Sequence, residues 1–453
     1  MIDRTKSPIA ETKLPFKVPA VQSIKLSNSI DVSFVKKESL PIVYMELIVF
    51  TGSRADPIDK KGLSYLTSLL IDEGAAEYNA LQLSDEFEKL GSIFSVASNH
   101  DKTIFSFLSL KEHYSRTLEL LSKILFQPRF EEDDFKREKK KVLDRILQLK
   151  DEPSYVASSA FEKQIFNGTF YESSEIGFAE SVKLISNSDV KENYSANLLN
   201  AVTKVIIVGN LIETEVADSL NKYLSKWKSP IDNQPAFIQP KGLQTNFYFV
   251  DKKDSAQSEI RIGQIAKKRN AKDHLATRIM NTILGGQFSS RINLNLRERK
   301  GFTYGANSAF HYYKDSALFE ISTAVNIENT GEAIKEILNE IEGIRTKIHP
   351  HEIDFAKSYL MKQFPSRFET FPQVAKNLES LVVHCLPADE LINYVSNVEQ
   401  VTEDQIQKAA IENILPDQLT ILAVGDKNKI IEQLEKVSGQ IPIELDINGI
   451  PLK

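Results

Sequence analysis

An internal repeat constrains the fold of this 453-residue chain more than any other sequence feature. Residues 202–208 and 419–424 are short apolar runs of the kind that forms a buried strand, and they end at Gly209 and Gly425. These glycines lie about 216 residues apart, and the predicted hairpins and first strands of the two halves recur at nearly the same offset. The sequence therefore predicts two copies of one structural unit.

Each copy is predicted to be an α+β unit. Its strands are grouped in hairpins and followed by helical patterns, which is typical of an antiparallel-rich mixed sheet with helices packed on one face. Residues 1–25 are predicted to form an extended arm, because their prolines prevent regular pairing. The first repeat then spans 26–227, a polar, proline-containing linker spans 228–245, and the second repeat spans 246–453.

Charge and composition exclude several classes of partner. A net charge of −6, a pI of about 5.8 and the lack of a long basic run argue against binding to nucleic acid. No stretch approaches the roughly 18 apolar residues of a membrane helix, and the polar N-terminus lacks the pattern of an export signal. We therefore expect no membrane span and a cytoplasmic location for the sequence as given, or a periplasmic one if an export signal was removed. The single cysteine, Cys385, lies in an apolar run and is predicted to be buried.

Residues 62–74, Gly-Leu-Ser-Tyr-Leu-Thr-Ser-Leu-Leu-Ile-Asp-Glu-Gly, resemble a helix of the pitrilysin/insulinase (inverzincin) metallopeptidase family, which includes the mitochondrial processing peptidase. Catalytic members carry H-x-x-E-H in this helix. Residues i and i+4 share a helix face, so two imidazoles bind one zinc while the carboxylate beside the second activates the zinc-bound water. Here the three positions are Tyr65, Ser68 and Leu69, and none of them can do that chemistry.

The third zinc ligand of the family is a glutamate on a later helix. In the matching segment, 137–146, Arg145 takes that place, and a guanidinium repels a dication. Both segments therefore predict that this chain binds no zinc and has no metal cofactor of its own. His349 and His351 with Glu352 could in principle chelate a metal, but His-Pro-His-Glu at a predicted helix start is more typical of a polar cap.

The second repeat closely resembles the signature of the family's C-terminal half. The resemblance lies in residues 284–305, Leu-Gly-Gly-Gln-Phe-Ser-Ser-Arg-Ile through Lys-Gly-Phe-Thr-Tyr-Gly. In that signature an arginine and a tyrosine seven residues apart reach across a clamshell to the substrate, and Arg297 and Tyr304 match both identity and spacing. A guanidinium and a phenol beside a partner's zinc can stabilise the developing oxyanion. Arg291 and Glu298 are expected to support the helix that presents Arg297.

The resemblance, which covers about residues 25–440, implies that the two repeats form half of a clamshell. It favours a zinc-lacking subunit of a heterodimeric peptidase, inactive alone, whose homologous partner carries H-x-x-E-H and supplies zinc and general base. The substrate would be a peptide or unfolded protein added to a sheet edge as a strand. The alternative is a scaffold or peptide-binding protein of the same fold without a hydrolytic partner. A homodimer is a further possibility when the partner is absent, and no motif indicates an enzyme of other chemistry.

Overall fold

The computed structural model describes residues 16–228, 236–240 and 244–452, and in these residues the chain builds two six-stranded sheets and a two-stranded ribbon. The strands are β1 (Gln22–Lys25), β2 (Asp31–Lys36), β3 (Ile42–Val49), β4 (Gly74–Ala75), β5 (Tyr78–Asn79), β6 (Ile93–Ser98), β7 (Thr103–Leu110), β8 (Thr203–Gly209), β9 (Asn246–Asp251), β10 (Gln257–Ile265), β11 (Ala306–Tyr312), β12 (Ala317–Asn326), β13 (Thr420–Gly425) and β14 (Ile443–Leu445).

The helices lie mainly between and after the hairpins. They are α1 (Leu63–Leu70), α2 (Ala80–Lys89), α3 (Tyr114–Phe126), α4 (Glu132–Asp151), α5 (Pro153–Ile165), α6 (Ala179–Leu184), α7 (Asn187–Asn193), α8 (Glu213–Leu224), α9 (His274–Leu284), α10 (Arg291–Asn293), α11 (Thr330–Thr346), α12 (Pro350–Gln363), α13 (Phe371–Val383), α14 (Glu390–Gln400), α15 (Glu403–Asn413) and α16 (Lys427–Ser438). Among the described residues, none of these helices has the length and hydropathy needed to cross a membrane.

The two large sheets share the same order over five strands and differ at one edge, where β1 is antiparallel to β2 but β14 is parallel to β9. The first has the order β1-β2-β8-β3-β7-β6, and the second, taken from its other edge, has β14-β9-β13-β10-β12-β11. In each sheet one inner pair is parallel, β2 with β8 and β9 with β13, while the next three pairs are antiparallel. The repeat read from the sequence is therefore a structural repeat, and the two-repeat α+β fold is confirmed.

Each sheet is covered on its second face by a helix from the other half. On β13, Ile421 and Ala423 belong to the core that contains the second half's own helices, whereas Leu422 and Val424 pack with Phe161 on α5. This alternation follows from the strand period of two.

The first sheet is covered in the same way. On β8, Val205 and Ile207 face the first half's core, while Ile206 and Val208 pack with α13 of the second half. The crossed helices join the two halves through buried apolar contacts, so both central strands are buried on both faces.

The predicted N-terminal arm is too long by its last four residues. Residues 1–15 lie outside the described part of the chain, but Gln22–Lys25 pairs antiparallel with β2 as an edge strand. The physical reason is that the last proline of the segment is Pro19, so every backbone N–H after it can join a ladder. The predicted linker, 228–245, falls partly on residues outside the described ones, and residues 236–240 belong to no helix or strand.

The prediction that Cys385 is buried is wrong. Its apolar run belongs to α13, but the helix ends at Val383, and Cys385 lies beyond it with an exposed side chain and a φ of 51°. The turn that ends the helix rotates the residue out of the apolar stripe that the pattern would otherwise continue.

Candidate functional site

Helix α1, which resembles the zinc-binding helix of the family, is fixed at its start by a buried aspartate. Asp56 accepts hydrogen bonds from the backbone N–H groups of Gly62 (3.0 Å) and Ser64 (2.9 Å) and from the Ser64 hydroxyl (2.6 Å). Burial raises the pKa of the Asp56 carboxyl to about 6 in spite of these three bonds. Gly62 has a φ of 97°, and a Cβ at this position would lie 2.5 Å from the carbonyl oxygen of Ile176, so the turn into α1 requires glycine.

The three positions that would hold and activate zinc are occupied by packing side chains. Tyr65 and Leu69 are half-buried and pack against the first half's core. Ser68 is 3% exposed, and its hydroxyl donates to the Tyr65 carbonyl at 2.7 Å, within the helix itself. The Ser68 proton is therefore used within the helix, and the side chains at the other two positions pack against the core.

Arg145 lies on the exposed side of α4. Its Nη1 donates to Glu152 Oε1 at 3.0 Å, and both side chains are about half exposed. The buried side of the same stretch is formed by Val142 and Ile146. Arg145 is therefore a surface ion-pair residue. It supplies no carboxylate at the position where the resemblance places the family's third zinc ligand.

A group of carboxylates where α1 and α4 meet was missed by sequence reasoning. Glu138 on α4 is 5% exposed and accepts from Arg137 Nε (3.1 Å) and Lys141 Nζ (2.7 Å), while Arg137 also pairs with Glu73. Burial and then the negative charge of Glu138 raise the pKa of Glu73 to about 7, and burial raises the pKa of Asp72 to about 6. The signal was present in the pair Arg137-Glu138, because a carboxylate on the apolar side of a helix needs partners.

Arg297 lies in a π-helical turn, Leu294–Arg299, that continues α10. Its guanidinium stacks over the ring of Phe288, with Cζ 4.5 Å from the ring centre, and Phe288 itself is 65% exposed. Nη1 is buried and makes no hydrogen bond within the described residues, and its ion pair with Glu298 is long, at 3.6 Å. The aromatic platform therefore orients a guanidinium that keeps hydrogen-bonding capacity for another molecule.

Tyr304 lies in the loop before β11 and is 92% exposed. Its hydroxyl makes no hydrogen bond to any residue that the structure describes. The loop around it is nevertheless ordered by hydrogen bonds, since Thr303 Oγ1 donates to the Gly305 carbonyl at 2.8 Å and accepts from the Gly305 N–H at 3.0 Å. A phenol held out from the surface in this way can reach a molecule docked against this half.

The support predicted for the Arg297 helix is only partly as expected. Arg291 forms a bidentate pair with Glu352, from Nε to Oε1 at 2.7 Å and from Nη2 to Oε2 at 2.6 Å, and so ties α10 to α12. Glu298 instead faces Arg297 directly. Glu352 also accepts from the His349 N–H at 2.9 Å, so the His-Pro-His-Glu segment is a helix cap, as the sequence indicated.

A cleft of about 790 Å³ opens beside Phe288, between the first half's α5 and the second sheet. Arg261 on β10 forms part of its wall and is fixed by Glu259 (2.9 Å), Glu320 (3.1 Å) and Ser158 of α5 (3.2 Å). The side chains that line it are mostly polar or small: Ser158, Arg261, Gly285, Gly286, Gln287, Phe288, Asn293, Gly305, Ala306, Asn307, Ser308, Ala309, His311, Glu320 and Ser322. Both halves therefore contribute to a polar surface next to Phe288.

Comparison with known families agrees with this geometry in both halves. Residues 32–176 match the family described as "Insulinase (Peptidase family M16)", and residues 185–360 match the one described as "Peptidase M16 inactive domain". The chain belongs to peptidase family M16. The assignment of Tyr65, Ser68, Leu69 and Arg145 to the family's zinc-ligand and base positions stays a prediction from the sequence.

Related M16 proteins carry names of both kinds, peptidase and non-peptidase. The chain is 22% identical over 384 residues to an "Uncharacterized zinc protease" of Rickettsia felis, covering 83% of this chain and 91% of the relative. It is 23% identical over 389 residues to a "Non-peptidase homolog YmxG" of Helicobacter pylori, covering 85% and 87%. The crystal structure of a peptidase M16 inactive domain from Pseudomonas fluorescens superposes with a TM-score of 0.82 at 23% identity, covering 90% of this chain and 98% of that one. The chain is thus similar in sequence to M16 proteins named as either kind, and in fold to an inactive M16 domain.

Proposed function

We propose that this M16 chain is the zinc-lacking subunit of a heterodimeric metallopeptidase and contributes Arg297 and Tyr304 to the binding of a peptide substrate. The observation that carries the proposal is the contrast between the two halves. Tyr65, Ser68 and Leu69 are packed into the first half's structure, whereas Arg297 and Tyr304 keep polar atoms without hydrogen bonds inside the described chain. Surface side chains with unused donors, held by Phe288 and an ordered loop, suit a ligand from outside.

In this arrangement the partner is a homologous subunit with H-x-x-E-H. A zinc held by that partner's H-x-x-E-H residues would supply the activated water, and this chain would contribute hydrogen-bond donors and no cofactor. Arg297 and Tyr304 donate to the scissile carbonyl or to the neighbouring backbone, where negative charge develops in the transition state. The substrate is an extended peptide or an unfolded protein, because only an extended backbone presents its carbonyls to such donors in register.

A second candidate function is peptide binding without hydrolysis, and the edge strand β6 favours it. In the described residues β6 pairs only with β7, and its side chains alternate between exposed and half-buried, with Ile93 68% exposed. The corresponding edge of the second sheet is covered at Ser308, whose N–H donates to the Gly285 carbonyl (3.0 Å) and whose carbonyl accepts from Asn281 (3.0 Å). An added peptide strand therefore fits β6 better than β11.

The experiment mixes this purified chain with a homologous H-x-x-E-H subunit from the same organism and measures cleavage of an unfolded fluorogenic peptide. We expect no cleavage by this chain alone, cleavage by the mixture, and a loss of about 100-fold or more in kcat for Arg297→Ala and for Tyr304→Phe in the mixture. Arg299→Ala is the matched control, because Arg299 lies on the same turn and is 65% exposed.

Two outcomes would contradict the proposal. Full cleavage by the Arg297→Ala and Tyr304→Phe mixtures would remove the assigned role of these residues. Peptide binding by this chain alone, with no cleavage in any mixture, would instead support the peptide-binding function. Ile93→Lys, which introduces a positive charge on the exposed edge, should then weaken that binding.

A further inference from the structure

Titratable side chains from both halves of the chain meet where helix α5 lies on the second sheet. At one end of this seam, Arg261 on β10 donates to the hydroxyl of Ser158 on α5 at 3.2 Å. At the other end, the ring of Phe166, which directly follows α5, lies 5.4 Å from the ring of Tyr313. Glu162 is one helical turn from both Ser158 and Phe166. Residues four apart share a helix face, so Glu162 faces the part of the sheet between these two contacts.

Glu162 makes no side-chain hydrogen bond or ion pair within the described residues. The part of the sheet that it faces carries Glu320 on β12 and His311 on β11, whose Oε2 and Nε2 atoms lie 3.4 Å apart. Glu320 also pairs with Arg261 at 3.1 Å, and Arg261 pairs with Glu259 at 2.9 Å. An unpaired carboxylate of the first half therefore lies over charged groups of the second half that already have partners.

A second pair of a histidine and a carboxylate lies at the Tyr313 end of the seam. His100 is 4% exposed, and its ring centre is 6.0 Å from that of Tyr313 and 5.4 Å from that of Tyr171. Its Nε2 lies 2.7 Å from the Ser173 carbonyl oxygen, and its Nδ1 lies 3.0 Å from Glu175 Oε1. A carbonyl and a carboxylate only accept hydrogen bonds, so this position suits a ring with hydrogen on both nitrogens, the charged imidazolium.

Three of these groups hold their protons more strongly in the folded chain than usual. Burial raises the pKa of Glu162 to about 7. Burial lowers the pKa of His100, but the hydrogen bond and the charge of Glu175 outweigh it and raise that pKa overall. The hydrogen bond to Glu320 raises the pKa of His311. Each group therefore gives stability that is fully present below its unfolded pKa and is lost as the pH rises through its folded pKa.

The fixed charges around the seam do not offset this titration. Arg261 is already paired with Glu259, and in the turns beyond the seam Arg54 is shared by Asp101 and Asp315. The neighbouring phenols stay neutral, because burial raises the pKa of each of them: Tyr155, Tyr171 and Tyr313. The change of charge with pH is therefore confined to the two histidines and the carboxylate of Glu162.

We propose that five groups form a pH-sensitive joint, which holds α5 on the second sheet in mildly acidic solution and loosens it as the pH rises above neutral. We call them the seam cluster: His100, Glu162, Glu175, His311 and Glu320. In mildly acidic solution the two charged histidines balance two ionised carboxylates, and Glu162 is protonated. When the histidines and Glu162 have lost their protons, three carboxylates remain, with a net charge of −3 across the seam.

Loosening of the joint would widen the cleft beside Phe288. That cleft lies between α5 and the second sheet, and Ser158, His311 and Glu320 are part of its lining. Carboxylates of one sign in a site with little water repel each other, and moving α5 away from the sheet relieves that repulsion. The joint does not depend on the peptidase proposal, and its test needs no partner subunit.

The test measures how fast a buried thiol in the seam reacts. Ala157→Cys, in a Cys385→Ser background, places a cysteine in the apolar cluster that α5 shares with the second sheet, where Ala157 is fully buried. Its rate of reaction with a thiol reagent is divided at each pH by the rate of a free cysteine peptide. We expect this ratio to rise at least about 30-fold from pH 6 to pH 8.5. Glu162 accounts for about tenfold of this rise, because opening returns its pKa from about 7 to its usual value.

Two substitutions should reduce this pH dependence in different ways. Glu162→Gln should make the rise about tenfold smaller, because glutamine cannot ionise. His311→Gln should make the thiol react several-fold faster at pH 6 and change the rate little at pH 8.5, because it removes a charge that is present only at the lower pH. Glu180→Gln is the matched control, because Glu180 is an exposed carboxylate on α6, and it should behave as the parent chain does.

Two further reporters separate opening of the seam from other changes. Ala160→Cys, also fully buried in the seam, repeats the measurement at a second position and should show the same rise. Ala201→Cys lies in the first half's own core and should show a much smaller rise. Three results would overturn the proposal: no rise with pH at either seam position, the parent's full rise in Glu162→Gln, or an equal rise at Ala201→Cys, which would indicate general unfolding.

Discussion

Replacing Arg54 with methionine is expected to uncouple the two halves of the chain. Arg54 is 2% exposed at its side chain, and its Nη1 contacts Asp101 Oδ1 (3.2 Å) in the β6–β7 turn and Asp315 Oδ2 (2.9 Å) in the β11–β12 turn. These turns occupy the same place in the two repeats, so a single guanidinium joins them across the interface. Tyr171 adds a hydrogen bond of 2.7 Å to Asp101.

The expected loss can be worked out from burial. Asp101 is 7% exposed and Asp315 is 24% exposed at the side chain, so the substitution leaves one buried and one partly buried carboxylate without their common cation. Breaking a buried ion pair from one side costs about 3–5 kcal/mol of unfolding free energy. The stacking of Arg54 on Phe170, 4.4 Å from the ring centre, adds roughly 0.5–2 kcal/mol. We expect a total loss of about 4 kcal/mol or more.

The assay is urea unfolding followed by two probes. Trp227 is the only tryptophan of the sequence and is buried in the first half's core, so its fluorescence reports that half, whereas far-UV circular dichroism reports both. In the parent chain the two transitions should coincide, and in Arg54→Met they should separate. Adding Asp101→Asn to Arg54→Met should recover about half of the loss, because it removes the more buried of the two stranded charges.

The matched control is Arg116→Met. Arg116 is 35% exposed and pairs with Glu86 and Glu119 on the surface of the first half, so the change should cost less than about 1 kcal/mol. A loss below about 1 kcal/mol for Arg54→Met, or coincident transitions in that variant, would refute the claim that this buried pair couples the halves.

Two further predictions concern single side chains. The pKa values of Asp72 (about 6) and Glu73 (about 7) in the folded chain lie above their usual values, so folding favours the protonated carboxyls. Their contribution to the free energy of unfolding is fully present below about pH 4 and is lost as the pH rises through those values. Relative to the parent chain, Asp72→Asn should therefore be about 3 kcal/mol more stable to unfolding at pH 8 than it is at pH 4. Urea unfolding at both pH values measures this difference. An equal effect of the substitution at the two pH values would contradict the burial argument. The exposed Cys385 should react with a thiol reagent at one equivalent per native chain, and reaction only after unfolding would place it in the core instead.

The sequence by itself determined the repeat, and it predicted that the first half lacks a zinc site. Strand ends at Gly209 and Gly425 locate the two copies, because a buried strand in each copy has to end at the same place in its sheet. The sequence predicted that Tyr65 and Leu69 stand on α1 where the two zinc-binding histidines would be needed. This prediction was possible because residues at i and i+4 share a helix face in any helix. These are local relations, fixed within one element.

Only the tertiary structure decided how the halves meet. The apolar run in β8 indicated burial, but not that α13 covers one of its faces, since periodicity gives the exposure of a face and not the identity of its neighbour. Arg54 contacts Asp315, which is 261 positions away in the sequence. Tyr394 lies beside Arg278 and Arg367, of which the nearer in sequence is 27 positions away. Such contacts depend on how whole helices and strands pack. Electrostatic interactions and burial depend on distances in space, and the order of residues along the chain does not specify those distances.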